Sequence, residues 1–477
     1  MALRSITGYE FHDFQSSLEL LNQTHIHIVR RESGVTYHDE FALCELLVDN
    51  TRLYEQELEG WSRSYYTGEQ HMKAILQYSL PNTPIQDIDV GCYQQAMTNV
   101  QERLSSLPIV RAFDVLTQLD QVSFESSSAA GYDYTGAKGP KNEGNHERAI
   151  RRAKAVLWSA IAQDGEGIEH VLRSSVPDVG YTRTQLTDLS EKTKVRGVWG
   201  RAFHYILPEG TSADPLLQAF KEGGTFYHIG QDPTVSVPYI LSDTAGKCAW
   251  LYALDWSSFD ATVSRFEIHA AFDLLKQRIE FPNFETEQCY EICRQLFIHK
   301  KIAAPDGKVY WAHKGIPSGS YYTSIIGSII NRLRIEYIWI KLRGHGPTIC
   351  YTQGDDSLCG DDERIEPERI ADIANPIGWL INPAKTATTR YPEYITFLGR
   401  TCYGGLNHRD LIRCLRLLIY PEYPVPSGAI SAYRANSIAE DCGGTSSILN
   451  DIARRLTRKY GRVSHEEVPK ELRVYRH

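Results

Sequence analysis

Two adjacent carboxylates, Asp355 and Asp356, follow Gly354 in the stretch CYTQGDDSLCG (residues 350–360), where strand-prone residues flank a glycine turn. Side by side, two anions repel, and a fold that keeps them together needs a positive partner, most simply a divalent metal ion. Chance alone supplies a Gly-Asp-Asp in roughly one chain in ten of this size, so its meaning rests on what the rest of the chain brings to it.

The first partner is Asp255. An apolar, aromatic run, Ala249–Leu254, ends in it, which places a carboxylate at a strand end within reach of a neighbouring strand's turn. Asp260 follows about one helical turn later, entering a helix patterned by Ile268, Phe272, Leu275 and Ile279. It either accepts a hydrogen bond from a ligand hydroxyl or serves only as an N-terminal charge favoured by the helix dipole. A basic cluster, KTKVRGVWGR (192–201), sets Lys194 and Arg196 alternating about Val195 in the period of a strand. Both side chains then project from one side and can grip a triphosphate, although a plain exposed strand would look the same. Finally, a loop Gly315–Thr323 containing Ser318 and Gly319 runs into an Ile-rich helix. On it Thr323, Gly327 and Asn331 recur at steps of four, a small polar face open to a sugar and base or to a second packed backbone.

Other elements must position these groups. Ser126–Tyr132 and Gly136–Lys141 form a loop of small residues that lets a phosphate backbone approach, or simply a surface loop. Behind it Ile150, Ala153, Val156, Leu157, Ala160 and Ile161 follow helical spacing, with Arg148, Arg151, Arg152 and Lys154 on the other positions. Pro305-Asp306-Gly307 signals a hairpin between Lys301–Ala304 and Lys308–Trp311. Pro367–Ala374 reads as a helix and Trp379–Ile381 as a short strand. Residues 1 to about 120 carry no repeat and no chemical motif.

Composition bounds the rest. The 477 residues are 42% hydrophobic with a net charge of −8, so any nucleic-acid contact must be a local basic lining rather than an overall positive field. Ten cysteines without a CxxC pair point to a reducing compartment, with Cys289 and Cys293 as packing residues. The start, MALRSITGYEFHDF, lacks the apolar run of a secretion signal and no stretch reaches a membrane span, so a soluble intracellular protein with no membrane partner is expected.

Taken in order, Asp-x4-Asp, Ser-Gly-x3-Thr with a later Asn, and Gly-Asp-Asp resemble the palm motifs of viral RNA-dependent RNA polymerases. The wording GIPSGSYYTSIIGSIIN and the RGVWG strand look most like partitiviruses of the plant cryptic type, with bisegmented double-stranded RNA genomes. The resemblance extends over roughly residues 126 to 436.

It implies an α+β right-hand polymerase with fingers, a palm built on an antiparallel, RRM-like sheet, and a thumb. Residues 1–245 would be the N-terminal region and fingers, with a template loop near 126–141 and a basic triphosphate strand at 192–201. Palm segments 246–275 and 314–404 would flank a fingers insertion at 276–313, and 405–477 would be thumb and tail. By the same resemblance Asp255, Asp355 and Asp356 hold two Mg²⁺ ions, for which Mn²⁺ can substitute. Lys385, in the loop after Asn382, would protonate the leaving pyrophosphate unless it is only a solvated lysine. Lys194, Arg196, Asp260, Ser318, Gly319, Thr323 and Asn331 would bind the nucleotide, Asp260 reading the ribose 2′ hydroxyl. Where picornavirus-like relatives place an Asn this helix has Gly327, which moves the Asn to position 331, one turn later.

Ser128, Gly131, Tyr132, Lys192, Arg201, Arg454 and Arg458 would contact RNA, the last two on a basic thumb helix with Ile448, Ile452 and Leu456 on its other face. Tyr394–Arg400 would be the strand supporting the primer terminus. Implied partners are the RNA template and product duplex, nucleoside triphosphates and a viral capsid protein, inside the virion and in the host cytoplasm. Two rivals are a reverse transcriptase-like palm polymerase and a non-catalytic RNA-binding or capsid-associated protein.

Overall fold

The computed structural model describes residues 14–27, 37–63, 66–162, 166–191 and 193–473. Its centre is a four-stranded antiparallel sheet in the order Ile349–Gln353, Asp356–Asp361, Trp250–Ala253, Ala387–Thr389. In chain order the strands are separated by helices as β-α-β-β-α-β, and their spatial order (second, third, first, fourth) is that of the split βαβ unit. Alternation along each strand explains why the sheet is covered on both faces. Tyr252 and Cys359 share one core with Ile325, Ile326 and Ile329 of the helix Thr323–Arg343. Their neighbours Leu251 and Leu358 point the other way, onto Val237, Ile240 and Leu241 of the helix Pro233–Lys247.

A second, five-stranded sheet runs Leu18–Thr24, Lys308–Ala312, Lys300–Ala303, Asp178–Arg183, Arg196–Gly200. The hairpin around Pro305-Asp306-Gly307 forms as the turn residues dictate, with Gly307 at φ +79°. The basic strand is shorter than its sequence pattern. It begins at Arg196, paired with Arg183, and leaves Lys194 in irregular chain before it.

Three helices, Leu411–Ile419, Gly428–Asp441 and Ser447–Tyr460, make a C-terminal bundle whose core is completed by Ala42, Leu46 and Leu58. The helix Glu40–Asp49, from the N-terminal region of the 1–245 segment, therefore packs into the C-terminal bundle. Asp39 is fully buried there, accepting from Ser431 Oγ at 2.8 Å and from Arg434 Nη1 at 2.5 Å. No sequence motif announced this contact, because each partner alone is an ordinary surface residue type.

Two expected strands are absent. Trp379–Ile381 contributes only a single bridge, Ile381 to Trp256, and the edge strand is Ala387–Thr389 instead. Residues 394–400 reverse direction within themselves: Phe397 and Arg400 exchange backbone hydrogen bonds of 2.9 and 3.1 Å around Leu398 (φ +52°) and Gly399 (φ +71°). Two consecutive positive φ values are the mark of a tight primed hairpin turn. Leu-Gly is a poor signal for that turn, and tertiary contacts impose it. Cys289 and Cys293 are both buried in the helix Phe284–Ile298, as packing residues. Among the described residues no helix is long and apolar enough to cross a membrane.

Candidate active site

The Gly-Asp-Asp turn is a two-residue hairpin loop, Gly354-Asp355, closed by the pair Gln353 and Asp356. Gly354 has φ +58°, which an L side chain resists and glycine accepts, so Asp355 is lifted to the tip. Asp255 lies two residues past the end of the adjacent strand Trp250–Ala253, and its backbone is clamped from both directions. Its N–H donates to Thr386 Oγ1 at 3.2 Å and its carbonyl accepts from Asn382 N–H at 3.0 Å. The carboxylates of Asp255 and Asp355 receive no hydrogen bond from another described residue.

Electrostatics tie these groups together. Asp355 is solvent-exposed on one side, yet the protein encloses it on the others, and that enclosure pushes its carboxyl above the usual range. Arg196 opposes the rise and the Asp255 charge adds to it. Burial lifts Asp356 to about 6, although its oxygens accept from Leu398 N–H at 2.8 Å and Ser357 N–H at 3.0 Å. The bond from Leu398 makes Asp356 the group that ties the turn to the Leu398-Gly399 hairpin.

Asp260 opens the short helix Phe259–Thr262 and is half-buried. Burial, reinforced by the Asp355 charge, raises its carboxyl to about 7 against the pull of Arg196 and Lys300. It too accepts no hydrogen bond from a described residue. Arg196 is thus the cation whose field reaches both Asp260 and Asp355. Lys194 is exposed nearby in the chain but outside the strand.

The loop beneath Arg196 is fixed by close backbone approach. Ser318 Oγ accepts from Trp199 N–H at 2.9 Å, and a Cβ on Gly319 would lie 2.1 Å from the Trp199 carbonyl oxygen. Thr323 Oγ1 donates to Pro317 O at 2.5 Å, so its hydroxyl holds the loop rather than facing a ligand. Lys385 is exposed, one residue before the Thr386 that grips Asp255.

Several sequence-derived assignments need correction. Asn331 is completely buried with its amide engaged: Nδ2 donates to Gly354 O (3.0 Å) and Asp356 O (3.1 Å), and Oδ1 accepts from Trp256 Nε1 (2.9 Å). It offers nothing to a sugar. Arg201 is only 3% exposed and sits between Asp178 and Glu209, donating to Leu296 O, so it does not reach RNA. Gly131 is buried, where a Cβ would meet Ala202 Cα at 2.9 Å, a packing role. Lys192 lies outside the described residues.

Ser128 is half-buried, bonded to Lys138 Nζ at 2.5 Å, and lines a recess with Lys138, Tyr181, Arg183, Gly319 and Tyr423. Tyr132 is half-buried, its ring 4.8 Å from that of His27. On the basic C-terminal helix, Arg455 pairs with Glu45 and Asp49, Lys459 with Glu45 and Arg454 with Asp451, while Arg458 is exposed.

Two contributors had little sequence signal. Lys300, 2% exposed, donates to three carbonyls (Ile298, Lys314, Gly315) at 2.6–3.0 Å under the Asp260 segment. Burial drives its ammonium well below the usual lysine range. Ser328 accepts from Gly354 N–H at 2.8 Å; its one visible mark was a polar residue in an Ile-rich run.

Comparison with known proteins accords with this geometry. Residues 37–457 match the family described as viral RNA-dependent RNA polymerase. The chain is 36% identical over 200 residues to the RNA-directed RNA polymerase of Cryptosporidium parvum virus 1 (strain KSU-1), covering 37% of this chain and 38% of that protein. It is 27% identical over 292 residues to the genome polyprotein of poliovirus type 1 (strain Mahoney), covering 58% of this chain and 12% of the polyprotein. The chain therefore spans well under half the length of these curated relatives. Among solved structures, the crystal structure of the RNA-dependent RNA polymerase of a human picorbirnavirus superposes with a TM-score of 0.68 at 15% identity, covering 90% of this chain and 88% of that one. That likeness establishes the fold, a right-hand α+β architecture.

Proposed function

Because the chain belongs to the viral RNA-dependent RNA polymerase family, we propose that it copies an RNA template by nucleotidyl transfer at the Asp255–Asp355 cleft. In this reaction a 3′ hydroxyl attacks the α-phosphorus of a nucleoside triphosphate, the bond to the β-phosphate oxygen breaks, and pyrophosphate leaves. The observation that carries the reading is the trio Asp255, Asp260 and Asp355. Their carboxylates accept no hydrogen bond from another described residue, and the Arg196 charge acts on two of them.

The donor set suits Mg²⁺, with Mn²⁺ as substitute. Hard carboxylate oxygens left unpaired are what such an ion takes, and water and phosphate oxygens complete its shell. Among the described residues no three His, Cys, Asp or Glu side chains form a ready cage, so Asp255 and Asp355 would share ions with the substrate. Two bound ions would supply activation of the hydroxyl and charge stabilisation of the leaving pyrophosphate. Asp356, its oxygens already bonded to backbone, contributes charge and holds the turn.

Arg196, supported by Lys194, binds the triphosphate. Asp260 accepts from the ribose 2′ hydroxyl, and a deoxynucleotide would leave it unpaired. Lys385, positioned by the Thr386–Asp255 bond, donates the proton to pyrophosphate. Ser128, Tyr132 and Arg458 remain the candidate RNA contacts, with the exposed but Asp451-paired Arg454 beside Arg458. In this reading the four-stranded sheet is the palm, the five-stranded sheet the core of the fingers, and the C-terminal helices the thumb.

The resemblance of the motif wording to that of partitiviruses supports a finer role: transcription and replication of double-stranded RNA segments within the particle, beside a capsid protein and without a primer. The test is purified protein with an RNA template, labelled nucleotides and Mg²⁺, run beside Asp355→Asn. The variant should bind RNA and synthesise nothing; undiminished synthesis refutes the metal assignment, and equal use of deoxynucleotides refutes the RNA polymerase reading.

A further inference from the structure

One helix grips the catalytic turn from beneath. Ser328 and Asn331, both fully buried on Thr323–Arg343, engage the turn through its backbone alone. Ser328 Oγ accepts from Gly354 N–H at 2.8 Å and donates to Ser324 O at 2.6 Å. Asn331 Nδ2 spends its two hydrogens on Gly354 O and Asp356 O, while its oxygen takes the Trp256 indole N–H. Both polar backbone groups of Gly354 are thereby held by side chains of a single rigid element. Thr352 Oγ1 adds a bond to Ser328 O at 2.8 Å, fixing the strand leading into the turn.

Gly327 completes the cradle. A Cβ there would stand 3.7 Å from Gly354 Cα, so helix and turn meet nearly backbone to backbone. Trp256 follows Asp255 directly, so Asn331 spans from the residue beside one metal-binding carboxylate to the residues on either side of the other. An amide with three of its hydrogen-bonding sites used, in a fully buried position, has no route to a bound sugar.

We infer that Ser328 and Asn331 are positioning residues that set the separation of Asp255 and Asp355, and that neither reads the nucleotide. The inference deepens the proposed reaction and rests on it. Reactive geometry in such sites tolerates little error, a displacement of about 1 Å costing on the order of a hundredfold in rate. Loss of the cradle should act on turnover and on metal affinity, not on sugar choice.

The experiment compares wild type with Ser328→Ala, Asn331→Ala and Asp260→Ala. The readouts are thermal melting, kcat and KM for nucleotide, the ratio of ribo- to deoxynucleotide incorporation, and Mn²⁺ binding to the nucleotide-free protein by titration calorimetry. Ser328→Ala and Asn331→Ala should lower kcat by about tenfold or more with KM within about twofold, weaken Mn²⁺ binding, and leave the sugar ratio unchanged. Asp260→Ala should move the ratio instead. A relaxed ratio with near wild-type kcat in Asn331→Ala overturns the inference and makes Asn331 a sugar reader; unchanged kcat and Mn²⁺ affinity in both variants also overturns it.

Should wild type synthesise no RNA, the proposed function fails, while the Mn²⁺ titrations still decide whether the cradle shapes the site. Should Asn331→Ala fail to fold, Ser328→Ala and the exchange rate of the Gly354 amide in wild type decide. An amide exchanging as fast as an open turn refutes the cradle.

Discussion

Gly319→Ala tests how the Gly315–Thr323 loop, proposed to bind the nucleotide, is held, because the clash can be worked from backbone positions alone. The added Cβ would lie 2.1 Å from Trp199 O and 3.1 Å from Trp199 C. Against an ordinary contact of 3.4 Å the shortfall is about 1.3 Å. No rotamer relieves it, since the obstacle is a strand whose Trp199 pairs with Gly180 and packs its ring 4.6 Å from that of Tyr78. The loop must move, and the Ser318–Trp199 hydrogen bond goes with it. Overpacking costs about 1–3 kcal/mol and the lost bond about 1 kcal/mol, giving roughly 2–4 kcal/mol in all. A loop displaced by about 1 Å should lower kcat/KM for nucleotide by on the order of a hundredfold. Steady-state synthesis and thermal melting measure both effects, with Gly246→Ala as control, since nothing lies within 4 Å of a Cβ there. If Gly319→Ala melts with wild type and retains its kcat/KM, the close-approach reasoning is wrong.

Three further outcomes are expected. Glu209, 1% exposed, is pushed by burial from 4.5 to about 7, so the folded state holds its proton more tightly than the unfolded chain does. The stability this supplies is complete below pH 4.5 and is lost as pH rises through 7, amounting to roughly 3 kcal/mol relative to Glu209→Gln. Denaturation of both proteins across that window checks it, and parallel pH profiles would refute it. Arg434→Met should destabilise the C-terminal bundle by about 3–5 kcal/mol by leaving Asp39 buried without its cation, with Asp39→Asn added on top recovering much of the loss; urea titration reads both. Asp260→Ala should cost little stability because its carboxylate holds no described partner, and a large fall in melting temperature would assign it a structural role.

The Gly-Asp-Asp turn was legible because its cause is local. A glycine that accepts positive φ between two strand-prone runs makes a hairpin wherever it sits, and Gly354 does so at +58°. The Ile-rich helix, the Pro305-Asp306-Gly307 hairpin and the helix Pro367–Ala374 are likewise set by periodicity and turn chemistry within a few residues. The turn at Leu398-Gly399 was not legible, since its hydrogen bond to Asp356 comes from a distant segment.

Side-chain fate was decided elsewhere. Arg196 and Arg201 sit at the two ends of one basic cluster and look equivalent in the sequence. The first is exposed, with its charge acting on Asp260 and Asp355; the second is sealed between Asp178 and Glu209. Asn331 reads as a ligand contact on its helix face and becomes a backbone clamp once Trp256 and Gly354 close on it. The sequence by itself determined which residues could do chemistry and the order in which they come. Only the tertiary structure decided which of them remain free to do it, because a polar group's availability depends on partners that folding brings from far along the chain, and a buried group already paired has none left to offer.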